Sequence, residues 1–330
     1  MVQKLLKKTF LGSLALSELH VLECFIMPRL ISDERCIRRY YKKYSGKEPD
    51  LKNPVTFSEK LNWYKLNHRS GLMEKCADKV EVRDYVKEKG YGDTLNDIIG
   101  VYDNVRDIDI GKLPERFVLK AAHGSHMNII VKDNKNEINW RRQRLMMRSW
   151  LRQDIYWPGR EWVYRDLRRR IIAEKYLEDE TGELRDYKFF CFNGEPKFVQ
   201  AEVGRFGENH ARNFYDMDWC LLPFGKEIPC NPDVIVEKPG QFEKMRKMAA
   251  DLSAPFEFVR VDLYQLKDNV GFGELTFFPA GGKPDFVPKE YDEIVGNMWK
   301  TEQNVKIGGG ILTKYPAAAL EPFFEGTEAA

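Results

Sequence analysis

Hydrophobic and polar positions alternate with a period of two most clearly in the stretch Phe256–Gly282, FEFVRVDLYQLKDNVGFGELTFFPAGG. Val259, Val261 and Leu263 alternate with Arg260, Asp262 and Tyr264. After Lys267-Asp268-Asn269, Phe272, Glu274 and Thr276 alternate with Leu275 and Phe277. The pattern predicts two half-buried strands and a turn. A hairpin centred on Asp268 sets Asp262 opposite Glu274 and Arg260 opposite Thr276. Directly opposed side chains have Cβ atoms about 5 Å apart, where like charges repel unless something positive lies between them. A divalent cation with hard oxygen ligands, such as Mg²⁺, meets that demand, and Arg260 on the same face is placed to reach a phosphoryl group beside it. A plain ion-pair ladder, with Arg260 bridging to Glu274 and no metal, meets it nearly as well.

Elsewhere the period lengthens. TFSEKLNWYKLNHR has Thr56 and Glu59 at capping-box spacing, with Leu61 and Tyr64 on one side. EKCADKVEVRDYVKEKGYGD puts Val82, Tyr85 and Val86 on one face of a helix with Asp78 near its start and Gly90 at its stop. The first third is therefore expected to be helical. From Arg116 short strands take over: RFVLKAA and NIIVKD form a hairpin around HGSHM, with Lys120 and His123 at its mouth. Trp140 to about Gln153 is a basic helix, RRRIIAEKYL a strand entering a connector, and DYKFFCFNGEPKFVQAEV a hairpin around Asn193-Gly194. ARNFYDMDWCLLPF adds a strand and turn. Gln241 to Ser253 is an amphipathic helix with Phe242, Met245, Ala249 and Leu252 inward. Helices first, then β-rich segments with helices between, predict an α+β fold.

Composition narrows the function. Fifty-three basic and fifty-one acidic residues among 330 leave a net charge of +2, so no global field marks a nucleic-acid protein. Six cysteines show no C-x-x-C pair and no histidine at ligand spacing, which fits reduced thiols in a cytoplasmic protein. The N-terminus carries Lys4, Lys7 and Lys8 and then turns apolar, but Glu18, His20 and Glu23 break the run before about 18 uncharged residues. An amphipathic helix packed on the body is expected there, with peripheral membrane contact as the second reading.

Taken in order, ADKVEVRDYV, FVLKAAHGSHMNIIV, IIAEKYL, DYKFFCFNG and FVRVDLYQLKDNVGFGELTFFPAGG resemble the successive nucleotide-binding signatures of the ATP-grasp superfamily. FSEKLNW, the HGS loop and the DYKFFCFNG hairpin are most similar to the teichuronopeptide-type (TupA-like) ATP-grasp proteins of cell-surface polysaccharide biosynthesis. Many of those carry a loose glycosyltransferase label. The resemblance spans roughly 57–282. It implies an ATP-grasp fold, two α+β subdomains gripping ATP, behind a helical N-terminal region. The expected boundaries are 1–55 for the N-terminal segment, 56–115 for a helical lead-in, 116–178 for the small lid subdomain, 179–299 for the C-terminal subdomain and 300–330 for a mobile tail.

The resemblance also implies roles. Lys79 and Lys120 match the two phosphate lysines, although Lys79 alone would pass for a solvated helix lysine. Gly124 and Ser125 match the loop over the phosphates, and His123 or His126 is a further phosphate contact. Superfamily members often have several glycines in this loop; here Gly124 stands alone. Glu174, Lys175, Tyr176 and Leu177 match the adenine hinge, and Asp186 the ribose contact. Asp262 and Glu274 match the metal carboxylates and Arg260 the adjoining catalytic arginine. The third metal ligand, commonly asparagine, is Thr276.

The implied enzyme is an ATP-dependent carboxylate–amine ligase that uses ATP and Mg²⁺, two ions by analogy. The implied acceptor is a uronic acid of a capsular or cell-surface glycan, and the donor an amino acid or other amine. Arg160, Arg205, His210 and Arg212, with nearby aromatic residues, are candidates for the acceptor, since arginine forks bind carboxylate and aromatic faces stack on sugars. A solvated basic surface explains the same residues equally well. A metal-dependent glycosyltransferase, and a noncatalytic protein binding an anionic polymer through the basic run Arg141–Arg170, are the alternatives.

Overall fold

A computed structural model of the chain describes residues 9–26, 30–179, 184–203, 211–267 and 269–300. Asp268, Arg205, His210 and the expected mobile tail beyond Lys300 lie outside the described residues.

Strands β1 (Ile98–Tyr102), β2 (Phe117–Ala121), β3 (Asn128–Val131) and β4 (Ile171–Lys175) form a four-stranded antiparallel sheet in the order β1-β4-β2-β3. The larger sheet has five strands. It comprises β5 (Asp186–Phe192), β6 (Glu195–Val203), β7 (Ala211–Tyr215), β9 (Phe258–Gln265) and β10 (Val270–Thr276), in the order β10-β9-β5-β6-β7. A short ribbon pairs β8 (Gly225–Lys226) with β11 (Phe286–Val287). The α+β mixture follows the sequence pattern, including the turn at Asn193-Gly194, where both residues take the positive φ that a two-residue hairpin loop requires.

Each sheet buries one face. In the smaller one Phe117, Leu119, Ala121, Ile129, Val131, Ile171 and Ala173 share a core with Met147 and Trp150 of the Trp140–Trp150 helix. In the larger one Tyr187, Phe189, Val199, Ala201, Val259, Val261, Leu263 and Leu275 share a core with Phe242, Met245, Met248, Ala249 and Leu252 of the Phe242–Ser253 helix. Burying each such side chain contributes about 1.5–3 kcal/mol. The other face of the large sheet is divided. Phe190, Phe192, Phe198 and Phe258 pack with Phe57 and Trp299 at one end. Charged and polar residues occupy the rest.

The hairpin pairs Asp262 with Glu274 and Arg260 with Thr276, as the alternation predicts. Nearer the turn the register slips by one, so Phe272 faces Leu263 and Val270 faces Gln265. The irregularity falls at Gly273, where a Cβ would sit 2.8 Å from the Asp262 carbonyl oxygen.

Two expectations change and a third is refined. The helix with Val82, Tyr85 and Val86 inward is Val82–Glu88, and Asp78 lies ahead of it, capping a turn that separates it from the preceding helix Gly71–Ala77. The Asp78 carboxylate accepts from the amides of Val80 and Glu81 at 2.7 and 3.1 Å and pairs with Arg170 at 2.7 Å. Lys79 thus sits in a turn and not on a solvated helix.

The Phe57–Asn67 helix has its capping box but is not one-sided: Lys60, Asn62 and Lys65 are buried beside Leu61 and Tyr64. Each polar group holds backbone. Lys60 donates to the carbonyls of Gly296 and Trp299 at 2.8 Å, Asn62 to Gly282 at 2.8 Å, and Lys65 to Gly159 and Gly281 at 2.7 Å.

The basic run does not form one patch. Arg144 donates to the Val105 and Ile108 carbonyls at 2.6 and 2.8 Å, and Arg152, Arg168 and Arg169 pair with Glu18, Asp103 and Asp154. Through Arg152, and through Ser17 lying 2.7 Å from Ser149, this region holds the Phe10–Ile26 helix. No helix among the described residues is long and apolar enough to cross a membrane.

Asp292 accepts from both the amide and the hydroxyl of buried Ser58 at 2.9 Å, tying the Tyr291–Asn297 helix to the start of the Phe57–Asn67 helix. Asp292→Ala strands both donors and is expected to cost about 1–3 kcal/mol, read as a lower urea midpoint at unchanged slope.

Candidate active site

The polar part of the large sheet is the floor of a cleft of about 660 Å³. Side chains that share this face line it: Asp186 and Lys188 from β5, Gln200 and Glu202 from β6, Arg212 from β7, Arg260, Asp262 and Tyr264 from β9, and Glu274 and Thr276 from β10. Lys79, Lys120 and the turn Gly124–Asn128 close it from the smaller sheet, and Tyr40, Tyr44, Glu161 and Tyr164 wall another side.

Opposite charges interlock on the floor. Arg260 grips both oxygens of Asp262 through Nε and Nη2, each at 2.6 Å, and the same Nη2 reaches Thr276 Oγ1 at 3.1 Å and Glu274 Oε1 at 3.5 Å. The Thr276 hydroxyl donates to Glu274 Oε1 at 2.8 Å. Lys188 bonds Asp262 Oδ2 at 3.0 Å and pairs also with Asp186.

Titration follows this arrangement. Burial disfavours the ionised form of Glu274, but Lys79, Arg260 and Lys188 outweigh it and draw the carboxyl down to about 2. Burial likewise opposes the charge on Arg260, and Asp262 more than restores it. The Lys79 ammonium donates to the Gly124 carbonyl at 2.5 Å and is lowered by burial against the pull of Glu274. Asp186 is raised by burial, and its buried Oδ1 has no hydrogen-bond partner.

The donor set suits a hard cation. Asp262, Glu274 and Thr276 present oxygens along one strand pair, and the unpartnered Oδ1 of Asp186 lies on the same floor. Among the described residues no group of three or more His, Cys, Asp or Glu side chains forms a cage. An ion here would complete its shell with water and phosphate oxygens, as Mg²⁺ commonly does. Arg260 bridges Asp262 and Glu274, and Lys188 adds positive charge at Asp262.

The remaining expected site residues divide. Lys120, Gly124, Ser125 and Arg212 line the cleft. Lys120 forms an ion pair with Glu174 at 2.6 Å. His123 does not line it: the ring is buried, with Nε2 3.1 Å from the Trp150 carbonyl, and burial lowers its pKa to about 4. His126, at φ 59°, lines the cleft instead.

Glu174 reaches the cleft through Lys120, whereas Lys175 pairs with Asp97 at 2.6 Å and Tyr176 lies under Arg116 at 4.5 Å. Leu177 is half-buried. Arg160 is not in the cleft wall. It is buried against Trp157 at 4.4 Å and Asp33 at 3.3 Å, anchoring the Asp33–Ser45 helix.

Sequence reasoning missed Lys188, Glu161, Lys226 and Lys283, all of which line the cleft. Lys188 had a signal, since it lies two residues from Asp186 on the same strand face. Its partner Asp262 became apparent only through the β5–β9 pairing.

Lys188→Met leaves two buried carboxylates short of a cation and is expected to cost about 3 kcal/mol. Adding Asp186→Asn should recover part of that loss, and a double-mutant cycle in urea at pH 7 measures the coupling.

The model of the TupA-like ATP-grasp family matches residues 59–300. No protein of curated function matches the chain. Among solved structures it is similar to the D-alanine–D-alanine ligase from Bacillus anthracis complexed with ATP, at 14% identity over 61% of this chain and 55% of that one, with TM-score 0.38. It is also similar to the ATP-grasp ligase PsnB complexed with minimal precursor, Mg and ADP, at 9% identity over 74% of this chain and 66% of that one, with TM-score 0.40. The chain thus spans less than two thirds of the length of either. The match over 59–300 covers most of the chain, and the protein belongs to the TupA-like ATP-grasp family.

Proposed function

We propose that the protein is an ATP-dependent carboxylate–amine ligase. The observation that carries this is the gathering of Lys79, Lys188 and Arg260 around the facing acids Asp262 and Glu274, with Lys120 lining the same cleft, within a chain of this family. In the first step an acceptor carboxylate attacks the γ-phosphorus of ATP, the bond to the ADP oxygen breaks, and an acylphosphate forms. In the second an amine attacks the acyl carbon and phosphate leaves.

Every reactant in the first step is anionic, so the work is alignment and charge compensation. Lys79, Lys120, Ser125 and the amides of the Gly124 turn face the phosphates, and Arg260 faces the transferred group. Asp262 and Glu274, with Thr276 beside them, would hold Mg²⁺, which neutralises phosphate oxygens when bound. The chain leaving β4, at Tyr176 and Leu177, offers backbone to the adenine, and Asp186 Oδ1 accepts from the ribose. Arg212 and the polar side wall suit a hydroxyl-rich acid, a uronic acid unit of a bacterial cell-surface glycan.

The Phe10–Ile26 helix supports a further reading, contact with an anionic membrane surface. Leu11, Leu19, Leu22 and Ile26 are 75%, 50%, 53% and 44% exposed. With exposed Ala15 they fall within an arc of about 80°, and Lys4, Lys7 and Lys8 precede them in sequence. An apolar face beside a basic segment fits a bilayer of anionic lipid. Wild type should float with vesicles containing phosphatidylglycerol and not with neutral ones, and Leu19→Glu with Leu22→Glu should stay behind. Binding indifferent to these changes, or a dimer that they abolish, overturns this reading.

For the ligase itself, ADP with Mg²⁺ at about 100 times Kd should raise the wild-type Tm by roughly 5 °C. Lys120→Met and Glu274→Gln should lose most of that shift. ATP, Mg²⁺, a uronate and hydroxylamine should yield a hydroxamate. A shift with UDP-sugars and none with ATP or ADP would sink the ligase reading in favour of a glycosyltransferase.

A further inference from the structure

Glu161 stands in the cleft wall away from the interlocked floor. Among the described residues its carboxylate makes no hydrogen bond and no ion pair. It nevertheless fits a prepared niche. A Cβ on Gly159 would lie 2.5 Å from Glu161 Oε1, and one on Gly281 would lie 3.3 Å from it, so both glycines leave room for this side chain. Lys65 fixes the carbonyls of those same two glycines at 2.7 Å each. The other ionisable groups facing Glu161 are Lys65 itself and Tyr40 from packed helices, and Tyr164 from its own turn. Tyr164 also lies within electrostatic reach of Glu274, Arg260 and Asp262, so the niche and the charged floor border the same space.

A carboxylate in a buried wall whose neighbouring cation, Lys65, donates to backbone carbonyls gains most from a further cation bearing hydrogen-bond donors. The ligase reading, on which this inference rests, requires one such group: an amine that arrives as ammonium and must shed a proton before it attacks. We propose that Glu161 is the amine subsite, binding the incoming primary ammonium and accepting its proton. One N–H proton passes to the Glu161 carboxylate, and the freed lone pair forms the C–N bond. The C–O bond to phosphate then breaks, and the departing phosphate takes the second proton. Burial raises Glu161 to about 7, with Lys65 opposing the rise, which suits a proton acceptor working near neutrality.

Glycinamide serves as the probe, with equal concentrations of tetramethylammonium and sodium as controls. At pH 8, in the presence of ADP and Mg²⁺, glycinamide should raise the wild-type Tm by about 2 °C and leave Glu161→Gln unmoved, with Glu161→Asp between. A second readout uses the protein alone. The folded-state value lies above the unfolded one, so native protein binds the extra proton between them, and wild type should lose stability relative to Glu161→Gln as pH rises from about 4.5 to 7. No glycinamide shift in wild type, or equal shifts in wild type and Glu161→Gln, overturns the subsite. Loss of the ADP shift in wild type would instead overturn the ligase reading, and Glu161→Gln should retain that shift.

Discussion

The grip of Arg260 on Asp262 is the interaction around which the cleft is organised. The Arg260 and Asp262 side chains are largely buried in the cleft floor, where a lone carboxylate or guanidinium is costly. Arg260 pairs with both oxygens of Asp262 at 2.6 Å, and Lys188 adds a bond to one of them at 3.0 Å, so each group meets an opposite charge on the floor. Glu274 is less confined. Its side chain is 37% exposed within the cleft, yet the surrounding cations hold its carboxyl near 2. The protein alone is therefore balanced internally, and a polyphosphate with its cation could replace that balance charge for charge: phosphate oxygens for Arg260 and Lys188, and the cation for Asp262 and Glu274.

The Phe57–Asn67 helix explains how such a floor stays aligned with its walls. FSEKLNWYKLN looks like a poor amphipathic helix because it has no solvent side, and its lysines and asparagine act as backbone clamps. Lys60 and Asn62 hold the chain that follows β10, and Lys65 holds Gly159 and Gly281 on either side of Glu161. A buried ammonium that donates to two carbonyls fixes loop positions that apolar packing alone would leave adjustable. Here the signature is structural, and the chemistry lies on the strands.

Much of the fold was legible because period-two alternation and short turns are local signals. The pairing of Asp262 with Glu274 followed from one hairpin, and even the Gly273 irregularity left that pair intact by slipping only the half nearer the turn. Lys188 was harder to assign, because β5 and β9 are neighbours in space but not in sequence. Loop histidines were harder still. His123 and His126 share one turn, and only its path decides that the first meets the Trp150 carbonyl while the second faces the cleft. Arg160 shows the limit of charge patterning, since residue type gives the capacity to grip an anion but not whether that anion is a ligand or Asp33.

The cleft is also unequal along its length, and the inequality gives it a direction. Around Asp262 and Glu274, cations gather on acids that they already neutralise. Toward the β7 edge of the floor and the rim beside it, Lys226 with Asp285, Lys283 with Glu227, and Arg212 with Glu202 and Glu227 are matched pairs, polar but without surplus charge. Such a surface suits hydroxyl groups better than a second strong anion, because breaking a matched pair to bind one exposes its partner. Among the described acids of the cleft, Glu161 alone has no counterion in reach of a hydrogen bond. Under the proposed ligase reading, an acceptor carboxylate held between the cationic floor and Glu161 would take the phosphoryl group on its oxygen from one side, and its acyl carbon would meet the amine, and release phosphate, from the other.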